Sequence, residues 1–478
     1  MEAAGERWDA VVVGAGPNGL AAAVRLAQSG WSVLVLEAAD QPGGGLRTLE
    51  LLETGCRHDV CATVHALTAV SPFMSRLPLD LVVPTAPLAH PFDDGSAVLL
   101  QRSVEETARS LGSDGQAYLR LIGPITASAD SLFRDLLGRL RLPRHPFLLA
   151  RFGIPGLLPA ARLATLAFEG RRARALLAGA AAHSMLSLRE PITAAFGLVM
   201  LASAHVGGWP FARGGSGSVA EALIGTLQAL GGKVRCCRPV GALTSLPPSD
   251  VVLLDLAPSG VLEVAGQRLP PRYRRRLERY RYGPGVFKMD WTLEGPIPWR
   301  ASECSLAGTV HLGGTLEEIA LSEHEVARGR HPEHPFVVLT QPTLFDGSRS
   351  PHGRQIAWAY CHVPNGSRRD LTGAVEQQIE RFAPGFCDLV RARSAWTTDV
   401  LERHDANCVG GDINGGRQDL RQLLARPALR WTPYATPDPS LLICSASTPP
   451  GGGVHGMCGW HAAGIALRRA QVRSVRPR

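Results

Sequence analysis

"WDAVVVGAGPNGLAAAVRLAQSGWSVLVLEAAD", residues 8–40, is the stretch on which the rest of the reading depends. Val11 to Val13 form an apolar run of strand composition, and the residues after it place glycines at 14, 16 and 19. A small-residue segment of helix-forming composition then ends at Gly30, and a second apolar run, "SVLVLE", finishes on an acid, Glu37. Each part has a mechanical reason. Gly14 permits a tight turn, Gly16 lets the backbone approach a pyrophosphate, and Gly19 lets the helix pack on the strand. The start of the helix turns its unpaired N–H groups toward phosphates. Glu37 is spaced to accept hydrogen bonds from a ribose. The pattern predicts a dinucleotide site that includes Gly14, Ala15, Gly16, Asn18, Gly19, Glu37 and Ala38.

Two further glycine clusters need an explanation. "EAADQPGGGLRT" (37–48) follows at once, and its Gly44, Gly45 and Arg47 resemble the second glycine pair of flavoproteins of the glutathione-reductase type, where they approach the FAD pyrophosphate. "CSASTPPGGGVHGMCGWHAAGIALRRA" (444–470) lies between a short strand-like run, "SLLIC", and a closing helix. Strand, glycine turn and helix there repeat the order seen at the amino terminus.

The bulk numbers are those of a folded chain. With 478 residues, two or three domains are expected, and 45% apolar with 19% charged residues is not a disordered composition. No run of about 18 uncharged apolar residues is present, so no membrane-spanning helix is expected. The opening "MEAAGERWDAVVV" lacks a basic-then-apolar leader, and a cytoplasmic location is the expectation. The formal charge of +8 is almost all arginine, since Lys233 and Lys288 are the only lysines, and this reads as compositional bias rather than nucleic-acid binding. Two basic stretches are exceptions: 141–177, where arginines mix with apolar helical turns and suit peripheral contact with a bilayer, and the shorter run 270–283. Ten scattered cysteines form neither a disulfide framework nor a metal-ligand spacing.

The chain resembles the phytoene-desaturase-related flavoproteins of the amine-oxidase-like superfamily, nearest to the branch of pyridine nucleotide-disulphide oxidoreductase domain-containing protein 2. The carrying segments include "VVVGAGPNGLAAAVRLA", "EAADQPGGG", "HDVCATVHALTAVSPF", "WPFARGGSGSVAEAL", "RYGPGVFKMDWTLEGPIPW", "NCVGGDINGG" and "SASTPPGGGVHGMCGWHAA". The resemblance implies an α/β fold: a Rossmann-type FAD domain from residues 1–75, 210–265 and 430–478, with an inserted α+β substrate domain from 76–209 and 266–429 that contains a mixed or antiparallel sheet. It implies helices before residue 206 and strands at "GVFKMDWTL", "FVVLTQPTL" and "RQIAWAYCHV". It implies FAD as cofactor, Val240 at the adenine, and Ser447, Gly452, Gly453, Val454, His455 and Met457 along the flavin. N–H groups from Val454 to Met457 would face the edge of the ring that gains negative charge on reduction.

For chemistry, Lys288 is the first candidate, because the resemblance places a lysine of this strand beside flavin N5 and a buried amine can shift its pKa. Asp290 shares its face and is its natural ion partner. His455, in the flavin-facing turn, is the second candidate, as a proton acceptor or donor. Cys56 and Cys61 have the CxxxxC spacing of disulfide reductases, but an intervening strand-like segment and the lack of a second dinucleotide fingerprint argue against that reaction. His65 reads as a satisfied buried histidine. The reading is an FAD-dependent dehydrogenase, desaturase or oxidase that takes hydride from a C–H of an apolar small molecule and is reoxidised by dioxygen or a quinone. Amine oxidation, flavin-dependent isomerisation and a non-enzymatic flavoprotein are the alternatives.

Overall fold

A computed structural model describes residues 6–139 and 145–475. Its first sheet has five parallel strands, in the spatial order Leu441–Ile443, Ser249–Leu254, Trp8–Val13, Val33–Leu36, Lys233–Arg235. Val11 pairs with Leu34 on one side and Val252 on the other. The central strands are covered on both faces, which is why their sequences are continuous apolar runs rather than alternating ones. The Pro17–Ala27 helix begins directly at the glycine turn, with proline in its first turn, where a missing N–H costs nothing. The last helix, Met457–Val475, packs against it. Contact is so close that a Cβ at Gly459 would sit 1.7 Å from the Asn18 carbonyl oxygen.

The second sheet has seven strands, in the order Val390–Trp396, Gly285–Leu293, Gln355–Val363, Val337–Thr340, Ala307–Leu312, Ala86–Pro91, Ala97–Leu100. Every pairing is antiparallel except that of Ala307–Leu312 with Ala86–Pro91, so the sheet is mixed. Its two faces separate chemically by the period of two. Phe287, Met289, Trp291 and Leu293 join Ala357, Ala359 and Cys361 in an apolar core on one side. Lys288 and Asp290 share the opposite face with Tyr360 and Trp358, their directly opposed partners.

One part of the chain departs from expectation. Residues before 206 are mostly helical, yet Ala86–Leu100 is a hairpin that completes the sheet edge. Its turn is made at Asp94–Gly95, with Gly95 at φ +80°, and its strands are buried through pairing with distant residues rather than through any strong local pattern. Among the described residues no single helix is long and apolar enough to cross a membrane.

Candidate active site

One continuous cavity of about 1180 Å³ runs from the amino-terminal glycine turn, past the carboxy-terminal turn, to an apolar chamber against the second sheet. Of the residues singled out in the sequence, Gly14, Gly16, Asn18, Glu37, Ala38, Gly44, Gly45, Arg47, Val240, Ser447, Gly452, Gly453, Val454 and His455 line it. Ala15 and Gly19 stand just behind the wall and hold its shape. The Ala15 N–H donates to Glu37 Oε2 at 2.7 Å, and the Gly19 N–H donates to Asp255 Oδ2 at 2.7 Å. The two glycine loops touch, since a Cβ on Gly44 would lie 3.2 Å from Gly16 Cα. Arg47 is buried, donating to the carbonyls of Gly44 and His404.

Two residues that organise this end were not identified from sequence. Asp255 follows the Ser249–Leu254 strand and is buried beneath the first glycine loop, where a Cβ on Gly16 would come within 2.8 Å of its Oδ2. Burial pushes its pKa up to about 7, against the opposing effect of the Gly19 N–H. Arg426 is buried under the carboxy-terminal turn and donates to the carbonyls of Gly415 and Ala446 at 2.9 and 2.8 Å. Only position marks them: an acid closing a buried strand, and one arginine in a segment with many.

The carboxy-terminal turn is fixed from below by Thr68, whose hydroxyl donates to the Val454 carbonyl, and by Ser71, whose hydroxyl donates to that of His455. His455 itself is committed. Its Nδ1 accepts from the Met457 N–H at 3.0 Å, so Nε2 carries the proton and donates to the Gly451 carbonyl at 3.1 Å. Burial lowers its pKa to about 4, and the ring is neutral at ordinary pH. This corrects two expectations. His455 has no ring nitrogen left to exchange a proton, and the N–H groups of His455 and Met457 are taken by Gly453 O and by the imidazole, so Met457 does not face the cavity. His455→Asn is expected to cost about 1 kcal/mol through the weakened start of the last helix. The pH profile of turnover between 6 and 8 should stay unchanged; an inflection lost in the variant would restore the acid–base role.

Lys288 is likewise placed differently from the expectation. It is buried on the cavity side of the sheet but does not line the cavity. Its ammonium is ion-paired with Asp290, whose other oxygen lies 3.4 Å from His58 Nδ1, and sits 5.0 Å above the Trp396 ring. Trp396 in turn packs on His404, which does reach the cavity. A buried amine with a carboxylate two residues along the same strand face pairs with it before it reaches anything further away. Lys288→Met should therefore destabilise the fold by stranding Asp290, and adding Asp290→Asn should return about 1–3 kcal/mol of that loss in a double-mutant cycle. Additive effects in chemical denaturation would show that the two do not act as a pair.

At the far end, Phe133, Leu149, Phe152, Phe196, Val199 and Met200 make most of the wall, with Trp209, Trp358, Tyr360 and His183 from the sheet side. The Tyr360 hydroxyl lies 3.5 Å from His183 Nδ1, and His183 Nε2 lies 3.1 Å from His311 Nε2. Burial holds both imidazoles neutral, with His183 lowered to about 3. Cys61 and Cys408 also line the cavity; contact with the Cys61 sulfur and burial keep the Cys408 thiol protonated. Cys56 instead lies against Ser350, so the CxxxxC cysteines do not meet in a dithiol. His65 is buried with both ring nitrogens in reach of hydroxyls, those of Thr68 and Ser216. Among the described residues no group of three metal-ligating side chains occurs.

The architecture recurs in solved structures. An oxidoreductase from Methanosarcina mazei superposes with a TM-score of 0.64 at 15% identity, covering 97% of this chain and all of its own. Putrescine oxidase bound to putrescine gives 0.60 at 18% identity, covering 98% of this chain and 100% of its own. Residues 12–77 match the model of an NAD(P)-binding Rossmann-like domain. These likenesses show the fold: a parallel sheet with a Rossmann-like amino-terminal unit, joined to a second, mixed sheet. In sequence the chain is similar to pyridine nucleotide-disulfide oxidoreductase domain-containing protein 2 of Mus musculus, at 25% identity over 96% of this chain and 93% of the relative. It is also similar to a phytoene desaturase (neurosporene-forming) of Cereibacter sphaeroides, at 23% identity over 94% and 92%.

Proposed function

We propose that this protein holds FAD in the long cavity and oxidises an apolar small molecule by taking hydride from a C–H bond, as a dehydrogenase, desaturase or oxidase. The residues present fit such a cofactor. A Cβ at Gly14, Gly16 or Gly19 would strike Asp255, so these glycines let the turn seat closely and aim the helix start at the cavity, where it would face a pyrophosphate. Glu37 and Val240 line the cavity where a ribose and an adenine would lie. Asn18 reaches the cavity, and its buried side-chain oxygen has no hydrogen-bond partner among the described residues. When bound, FAD supplies a two-electron acceptor at N5, to be reoxidised by dioxygen or a quinone.

The chain's own residues do the rest. Gly452, Gly453 and Val454 bring backbone against the middle of the cavity, with Thr68 holding the Val454 carbonyl from behind and Arg426 holding the Ala446 carbonyl earlier in the same turn. The aliphatic and aromatic wall beyond excludes water and orients an apolar substrate by shape. Tyr360, Thr309 and Thr340 are the hydroxyl-bearing residues of the second sheet among those that line the cavity. The observation that carries the reading is the continuity of one cavity from the nucleotide loop to a chamber lined mainly by carbon. The name of the phytoene desaturase relative supports an apolar substrate.

A direct test is the absorbance of purified protein, followed by anaerobic addition of a panel of polyenes, isoprenoids and lipids. A yellow protein bleached by one of them supports the proposal; a yellow protein that none bleaches removes the apolar-substrate reading. Amine oxidation is the second reading, supported by Trp358 and Tyr360, whose rings meet edge to face at 5.3 Å on the cavity wall. Hydrogen peroxide released from an amine panel would select it.

A further inference from the structure

Two segments far apart in sequence place bare apolar side chains beside the cavity. The first is the helix pair Pro146–Gly156 and Ala160–Ala167, bent at 98°. Phe152, Leu163 and Ala164 anchor it to the protein, while Phe147 is 91% exposed and Ile154 72%. The second runs from Leu420 to Trp431, where Leu424 is 60% exposed, Leu429 69% and Trp431 fully exposed at 103%. They are neighbours. Arg417, just before the second segment, is ion-paired at 2.8 Å with Glu190, and two residues on the Ile192 N–H donates to the Leu157 carbonyl beside the first. Leu149 of the first segment and Leu424 of the second both line the cavity, so each segment reaches its wall.

Single exposed apolar residues need no explanation, but a cluster beside a cavity does. Charge identifies the occupant. Between 146 and 167 the charged residues are Arg151 and Arg162, and between 420 and 431 they are Arg421 and Arg430 beside the buried Arg426; neither segment contains a carboxylate. Of the flanking carboxylates, Asp135 lies 3.2 Å from His145 Nδ1 and Asp419 is ion-paired with Arg281. Arginine around exposed aromatic and aliphatic side chains matches a surface with anionic headgroups over a hydrocarbon layer. The sharp bend between the helices suits a wedge lying in the interface rather than a span.

We propose that this rim docks the protein on an anionic lipid bilayer, with the cavity mouth in the headgroup layer. An apolar molecule then enters from the lipid without crossing water. The surface is narrower than the basic stretch 141–177 expected from sequence. Residues 141–144 lie outside the described residues, and the Arg171–Ala182 helix is largely buried, with Arg171 paired to Asp94.

The test is flotation of the purified flavin-loaded protein with vesicles of phosphatidylcholine alone or with phosphatidylglycerol added. The protein should float with the anionic vesicles, less so as salt rises. Phe147→Ser with Ile154→Ser, both at exposed positions, should lower partitioning at least about tenfold without changing thermal stability. Trp431 supplies a second readout, because the other eight of the nine tryptophans are buried or half-buried. Tryptophan emission should shift to the blue on adding anionic vesicles, and Trp431→Phe should abolish the shift. No flotation, or equal flotation of wild type and the double variant, would overturn the proposal. So would a wild-type dimer in light scattering that the double variant converts to monomer without any vesicle binding, since the face would then be a self-interface.

Discussion

Gly14→Val is expected to leave the purified protein colourless and to weaken its affinity for added FAD by about a hundredfold, near 3 kcal/mol. Gly14 has φ +99°, a region that costs a residue with a Cβ about 1–2 kcal/mol and a β-branched residue more. A Cβ there would also stand 2.9 Å from the Asp255 carbonyl oxygen and 3.2 Å from Asp255 Cβ. Neither atom can yield, because Asp255 closes a buried strand and holds the Gly19 N–H. The turn must therefore open, and the cradle is lost. Flavin absorbance after purification and after titration with FAD reads the effect directly, with a circular-dichroism melt to show that the variant is folded. A folded variant that retains flavin at wild-type stoichiometry would refute the placement of the pyrophosphate on this turn.

A second large effect belongs to pH. Folded, Asp255 holds its proton up to about pH 7, whereas an unburied aspartate releases it near 3.8. Between those values the folded chain binds one proton more than the unfolded one, so stability falls as pH rises, by about 1.4 kcal/mol per unit and about 4 kcal/mol in all. Asp405 and Asp412, also raised by burial, act in the same direction. The quantity to measure is therefore the difference between wild type and Asp255→Asn in denaturant midpoints from pH 4 to 8, for protein freed of cofactor. Asparagine can still accept from the Gly19 N–H but does not titrate, so its curve should lack this slope. Parallel curves would mean that Asp255 is ionised throughout. The same charge lies against the glycine loop, so FAD affinity should also decline as pH rises through 7.

Legibility in the sequence followed the range of the forces involved. The first glycine turn was readable because backbone sterics, helix geometry and strand burial all act within 30 residues of one another. The partner strands Ser249–Leu254 and Leu441–Ile443 were readable as apolar runs, and their approach to the first strand followed from resemblance rather than from any local signal. Lys288 and His455 show the limit. Their positions on a strand and in a turn could be read, but their chemistry depends on what each meets in space. For Lys288 that is Asp290 and Trp396, and for His455 it is the Met457 N–H and the Gly451 carbonyl. Asp255 and Arg426 were invisible for the same reason. An aspartate and an arginine are ordinary in sequence, and only burial beside a particular glycine loop or carbonyl cluster makes them decisive.

By itself, then, the order of residues determined the amino-terminal strand, its glycine turn and helix, and the apolar runs that become the partner strands, because φ-permissive glycines and apolar periodicity are properties of the chain before it folds. Tertiary structure alone decided which side chains reach the cavity and which are spent holding its wall. It also decided that the helices at 146–167 and the segment at 420–431 reach one cavity. Those outcomes depend on contacts made in the folded state, some between residues two positions apart and others hundreds apart, and burial, ion pairing and hydrogen-bond saturation are properties of such contacts, not of the residues that make them.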